Sequence, residues 1–389
     1  MLTRRLAEAL QWSNQAERKT ALAREAVEIA RRLRDSETLM DALYRSHVAL
    51  SSPETAETRL SASTELLELT RQAKQPQFEM KARYLRIRDL LEIGRVDELR
   101  VEVDAYAQLV RQLQQQHVGI SEAGFAMLAL LDGRFDEAER LAIQALNLGR
   151  DRSDGLAAQA FAAQISAIRR EQGRLHEMEP IIKSYVEQFP GLTFARCGLA
   201  FCYSESGRTE DARFHLDYLA KTDFAGVARD VSWLASMAML SEVSAALNDQ
   251  ASARVLMGVL EPYESRNASL DMYVCYGPVS YYRGILAFSL SSYELAEQRF
   301  LSALESTKKM GLRPWHAHAQ YRLAALLLQR NSSPKDRGNA FNLLASAMAT
   351  AQSLGMKSLE AKLVHLAGPL ETEVGAHSPS QICKSGIGR

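Results

Sequence analysis

The sequence predicts an all-α fold, a solenoid of about nine stacked antiparallel helix hairpins. Three observations lead there. A turn-like hexamer, seen as Gly133-Arg134-Phe135-Asp136-Glu137-Ala138, recurs along the chain. Around it, apolar residues return at helical spacing, as at Phe135, Ala138, Leu141, Ala142, Ala145 and Leu148, which places them on one helix face. Good helix formers (Ala, Leu, Glu, Arg, Gln) dominate, and alternating strand patterns are nearly absent. With 47% hydrophobic and 24% charged residues among 389, the composition is that of a globular chain.

From the N-terminus, segments 21–35, 38–50, 60–74 and 78–94 read as amphipathic helices. Hexamer copies then end at Leu99, Ala138, Met178 and Ala212, and weaker ones at Ala253, Ala296 and Ala340. The intervals are 39, 40, 34, 41, 43 and 44 residues, in the range of stacked helical hairpins. Gly at the head of the hexamer ends one helix, because it accepts a left-handed conformation without a side-chain clash. An acid at the next helix start (Asp97, Asp136, Glu210, Glu294) favours the positive end of the helix dipole. Twelve residues before the hexamer ends stand Ala126, Ser166, Ala200, Ser241 and Gly284, small enough for close contact within a hairpin. Ile87 breaks that rule, so the register is weaker before about residue 117. A capping helix is expected at about 356–367, which closes a single solenoid over 1–367. The aperiodic segment 368–389 is expected to be a disordered tail.

Several function classes are excluded at this stage. Lys+Arg and Asp+Glu both total 47, against a dedicated nucleic-acid binder, which carries a basic excess. No stretch approaches the ~18 apolar residues of a membrane helix, and the N-terminus shows no signal-peptide pattern. A cytoplasmic protein is expected, with Cys197, Cys202, Cys275 and Cys383 as reduced thiols. No P-loop, no Gly-x-Ser-x-Gly elbow, no His-Glu-x-x-His and no Asp-rich metal loop occurs. The expectation is therefore no enzyme, no cofactor and no metal. His316 and His318 are about 200° apart around a helix and Cys197 and Cys202 about 140°, so neither pair converges on one ion.

The serial pattern resembles the tetratricopeptide repeat. Residues 277–303 match it most fully, through Gly284, Ala296, Phe300 and Ala303, and 119–150 less fully, through Ala126, Ala138 and Ala145. The resemblance implies a right-handed superhelix whose concave face is lined by the first helix of each hairpin. Residues 276–356 also resemble the MalT-like C-terminal repeats of large bacterial signalling ATPases. That likeness is carried by Gly277-Pro278, Arg313-Pro314-Trp315 and Leu354-Gly355-Met356, and "LAREAVEIARRLRD" near the N-terminus shares it. The ATPase, cyclase and DNA-binding modules of that family have no counterpart in this sequence, so the resemblance implies only a regulatory role. A small-ligand receptor and a remnant of a longer enzyme are the alternatives.

In that register the concave face is lined by Met127, Phe194, Phe201, Tyr281, Ile285 and Phe288, with Arg170, Glu205 and Glu242 among them. A mostly apolar groove suits an amphipathic helix or extended apolar segment of a partner protein, such as an ATPase or regulator chain. A second cluster (Tyr281, Tyr282, Arg283, Trp315, His316, Tyr321 and Arg322) has the residue types of an interaction hot spot. Ordinary packing between helices competes with both readings.

Overall fold

The computed structural model describes residues 16–113, 118–149, 156–330 and 333–374. They form eighteen α-helices and one two-stranded sheet. A single helix, α1 (Ala16–Leu33), opens the array. Eight hairpins follow. They are α2 (Ser36–Ala49) with α3 (Ala56–Gln72), α4 (Pro76–Ile93) with α5 (Val96–Gln112), α6 (Val118–Asp132) with α7 (Phe135–Gly149), and α8 (Leu156–Glu171) with α9 (Glu179–Gln188). Next come α10 (Thr193–Glu205) with α11 (Thr209–Ala220), α12 (Trp233–Ala246) with α13 (Gln250–Leu260), α14 (Val279–Ser289) with α15 (Tyr293–Met310), and α16 (Arg313–Gln329) with α17 (Pro334–Leu354). The closing helix α18 spans Lys357–Val374, past the expected end at 367, because Leu370–Val374 adds helix-compatible residues after Gly368-Pro369. The rest of the expected tail, 375–389, lies outside the described residues.

The hexamers are the turns of this array. Their first residues, Gly94, Gly133, Gly173 and Gly207, all have φ between +72° and +85°. In the weaker copies Asn248 (+52°) and Ser291 (+58°) take the same left-handed position. Their last residues, from Leu99 to Ala340, are all buried. The Arg that follows each glycine pairs with an acid three residues on: Arg95–Glu98, Arg134–Glu137, Arg174–Glu177 and Arg208–Asp211. Exposed pairs of this kind give a few tenths of a kcal/mol, ~0.3–0.5. Gly284 shows why small residues stand mid-helix: a Cβ there would lie 2.5 Å from the Phe300 ring.

The hairpins form two layers. Two inner helices are packed on every side: every residue from Trp233 to Ser244 of α12 is buried, as is Val279–Ala287 of α14. Outer helices bury one stripe, as α15 does with Ala296, Phe300, Ala303 and Thr307. The array also turns back on itself, with α16 packing on α6 and α18 on α8.

One element departs from the all-helical expectation. Strands β1 (Asn267–Leu270) and β2 (Val274–Pro278) form an antiparallel hairpin with an irregular register between Asn267 and Ser269. All of β2 is buried. A strand covered on both faces is apolar throughout and shows no alternation, so Met272-Tyr273-Val274-Cys275-Tyr276 cannot be told from a helical segment by period. Repeat length gives no signal either, since the 44-residue interval from Ala296 to Ala340 is longer and wholly helical in its described elements.

Candidate functional site

The β-hairpin sits against the inner layer and contacts α4, α6, α8, α12 and α14. Side chains from these helices grip its backbone. Asn267 returns the grip, donating from Nδ2 to the Leu91 carbonyl at 2.8 Å. Gln164 Nε2 donates to the Tyr273 carbonyl at 3.1 Å and to that of Ala123 at 2.7 Å. Trp315 Nε1 donates to the Cys275 carbonyl at 3.1 Å, and the Tyr282 hydroxyl to that of Tyr276. At the hairpin tip the Tyr84 hydroxyl lies 3.1 Å from both carboxylate oxygens of Asp271. Gly277, at φ +83°, makes room for Trp315: a Cβ there would fall 2.5 Å from its indole ring.

The hairpin packs on α6 and α14, the helices that carry Met127, Tyr281 and Ile285. Met127, Phe201, Tyr281 and Ile285 are buried, and Phe194 and Phe288 are half-buried against the core. In this arrangement the four buried residues are closed to a partner.

The aromatic-cationic cluster is assembled in part. Tyr281 lies 5.1 Å from Tyr282 and 5.6 Å from Trp315, between ring centroids. The Arg170 guanidinium stacks between Trp315 (4.9 Å) and Phe201 (5.0 Å) and pairs with Glu242 at 2.6 Å. Arg322 and Tyr281 are bonded partners, whereas Arg283 turns away to Glu264 and His316 to Thr307, at 3.0 Å. Tyr321 stays half-buried. Beside the cluster, Glu171 lies 3.0 Å from His318, and Glu205 pairs with Lys362 at 3.0 Å. Burial raises the Glu171 pKa, but His318, Arg170 and Lys362 together outweigh it and hold the carboxyl below its ordinary value. Sequence reasoning placed Glu205 on this face but missed Glu171 and Lys362. The one signal was Arg170-Glu171 as adjacent charges closing a largely apolar helix. A cavity lined by Arg170, Glu171, Tyr276 and Trp315 holds about 20 Å³. That is room for one water, far below the ~300 Å³ at which small-molecule sites begin.

A second ionic cluster, which the sequence did not reveal, lies between α2, α3 and α4. Asp89 accepts from Arg59 Nε at 2.9 Å and lies 2.6 Å from His47 Nε2, while Arg59 Nη2 reaches Glu92 at 2.5 Å. Arg88 Nη2 is 3.0 Å from His47 Nδ1. Arginine can only donate, so Nδ1 accepts and Nε2 carries the proton given to Asp89. Two arginines already balance two carboxylates, and a charge on His47 would be uncompensated. Burial accordingly pushes His47 down to about 4 despite the pull of Asp89.

The cysteines have the character of core residues. Burial pushes the thiols of Cys197 and Cys275 up to about 12, far from a thiolate at neutral pH. Among the described residues no three His, Cys, Asp or Glu side chains gather as a metal site would require. None of the helices described is long and apolar enough to cross a membrane.

No protein-family model and no curated protein matches the chain. Among solved structures, one described as a circular tandem repeat protein with novel repeat topology and enhanced subunit contact surfaces is similar over 96% of each chain. It shares 13% identity at a TM-score of 0.17, so the assignment of a helical-repeat fold stands on this chain's own helices.

Proposed function

We propose that this chain is a non-catalytic protein-interaction module, a helical-repeat scaffold that presents its outer surface to a partner. The observation that carries this reading is where apolar surface remains open. Twelve large apolar side chains are exposed among the described residues, and five of them (Ile181, Phe189, Leu192, Phe214 and Tyr218) fall within residues 181–218. Concentrated exposed apolar surface marks interaction sites. The interior supports a structural role, since most of its buried charges are paired across helices, as in Arg59–Asp89 and Arg170–Glu242. The 20 Å³ cavity beside Arg170 has room for one water and none for a small effector. The resemblance of residues 276–356 to signalling-ATPase repeats supports a place in bacterial signalling or transcription regulation, with an ATPase or regulator chain as partner. The three free, buried cysteines Cys197, Cys202 and Cys275 suit a cytoplasmic setting.

The test is affinity capture by the full chain, then titration calorimetry with each captured protein purified. The reading expects one protein to bind saturably at a fixed stoichiometry. If none does, it fails.

A further inference from the structure

The outer face of α9 and α11 is built differently from the rest of the array. Helix α9 has no buried residue at all. Its apolar stripe of Ile182, Tyr185, Val186 and Phe189 follows i, i+3, i+4, i+7 spacing, yet Ile182, Tyr185 and Val186 are only half-buried and Phe189 is 53% exposed. On α11, Phe214 and Tyr218 stand one turn apart, 66% and 49% exposed. Arg208 at the head of α11 pairs with Glu179 at the head of α9, at 2.7 Å. Both helices pack on α10, where Gly198 offers no side chain and only Ile182 comes near, 3.9 Å from the position of a Cβ.

This face also has a charge preference. The Arg196 guanidinium lies 4.1 Å from the Tyr218 ring centroid, with Lys221 5.7 Å away on the same ring. The hydrogen-bond contact of Arg196 is His215 Nδ1, at 3.3 Å, and it pairs with no carboxylate among the described residues. Asp217, Glu210 and Lys221 fall on one edge of the Phe214–Tyr218 stripe, and Arg196 reaches it from the other, beside His215.

We propose that this face docks an amphipathic helix of a partner protein, whose apolar stripe covers Tyr185, Phe189, Phe214 and Tyr218 and whose carboxylate pairs with Arg196. The proposal rests on the interaction reading above and gives it a location and a partner chemistry. An amphipathic helix laid against an apolar helix pair is a recurring mode of recognition, and an unpaired guanidinium over an aromatic ring is suited to receive a carboxylate.

The experiment uses the full chain and two fluorescein-labelled amphipathic peptides of about 18 residues, one with glutamates along a flank of its leucine stripe, the other with lysines in their place. Anisotropy titrations should show the glutamate peptide binding roughly fivefold more tightly, as expected of a partly exposed ion pair. Arg196→Gln should abolish the difference between the peptides. Phe214→Ser or Tyr218→Ser should weaken binding at least roughly thirtyfold, the loss expected of a hot-spot residue. Ile143→Ser, on the exposed face of α7, should change nothing. Equal binding of the twins, no binding, or binding that survives both serine variants would overturn the site. So would a dimer in sedimentation that Phe214→Ser dissolves, since the occupant would then be a second copy. If the peptide is ignored while a purified protein still binds saturably, this site falls and the interaction reading stands.

Discussion

The two buried ionic clusters do different work for the same fold. The one at α2–α4 joins residues 30 to 42 apart in sequence, so it staples neighbouring hairpins. The one around Arg170 joins residues 72, 147 and 157 apart, so it fastens distant hairpins and closes the array. They also differ in wetness. Arg59 and Asp89 side chains are 0% exposed, whereas Lys362 and Glu205 of the closing cluster are 35% and 20% exposed. Coulombic attraction and desolvation both weaken where water enters. Adjacent repeats are thus bound by a dry network, and the closure by a graded one that is wettest at the last helix.

The sharpest break removes an arginine from each cluster. Arg59→Met removes the arginine from two carboxylates in the dry interior, stranding Glu92 and leaving Asp89 only His47 and Ser63. It should cost roughly 5 kcal/mol, the upper end of the range for a broken buried pair. Arg170→Met strands Glu242 alone and should cost roughly 3 kcal/mol. Urea denaturation measures both. Hydrogen exchange should show protection lost first across α2–α4 in the Arg59 variant and across α8, α12 and α16 in the Arg170 variant. The same exchange map for both would mean that the clusters form a single unit.

Acid should expose the first cluster. The His47 pKa falls from 6.5 in the unfolded chain to about 4 in the fold, so between these values the unfolded chain binds more protons. Its contribution is complete above pH 6.5 and declines by about 1.4 kcal/mol per pH unit as pH falls toward 4. Between pH 6.5 and 4.5 the chain should lose roughly 2–3 kcal/mol more than His47→Gln does, since glutamine cannot titrate. Parallel losses in the two proteins would place the charge on His47 from the start.

The contrast also explains what could be read beforehand. Local chemistry was legible: Gly94, Gly133, Gly173 and Gly207 announce left-handed turns, and Gly284 with Phe300 announces a close helix pair. The register singled out Met127, Phe201, Tyr281 and Ile285 as lining a concave face, and all four are buried. What fills the interior was not legible. Periodicity identifies an apolar face but not its cover, so the packed faces of α6 and α14 and the bare stripe of α9 leave the same helical signature. Pairs such as Glu171–His318 arise only when the array closes, and nothing within either helix announces them.

The hairpin ties both clusters to one core, and its grip should be weaker than either. Trp315→Phe keeps most of the ring packing but leaves the buried Cys275 carbonyl without its indole donor. A loss of roughly 1–3 kcal/mol is expected, the cost of an unsatisfied buried acceptor. Thermal unfolding with a parallel Trp315→His variant tests it, since imidazole can restore a donor. If histidine recovers none of the loss, the hydrogen bond does not hold the strand.

The smallest effect belongs at the wet end of the closure. Lys362 meets Glu205 at 3.0 Å with over a third of its side chain in water, so Lys362→Met should cost no more than about 1 kcal/mol. The sign could even reverse, because methionine keeps the apolar stem that packs along α18 while shedding the cost of holding an ammonium in one geometry. Salt distinguishes the cases: raising ionic strength should erase the difference between the wild type and Lys362→Met while leaving the Arg59→Met deficit intact, since screening acts on the exposed pair and not on the dry one. A salt-independent cost above 2 kcal/mol would show that the closure is as dry as the staple between α2 and α4, and the gradient between the two clusters would be gone.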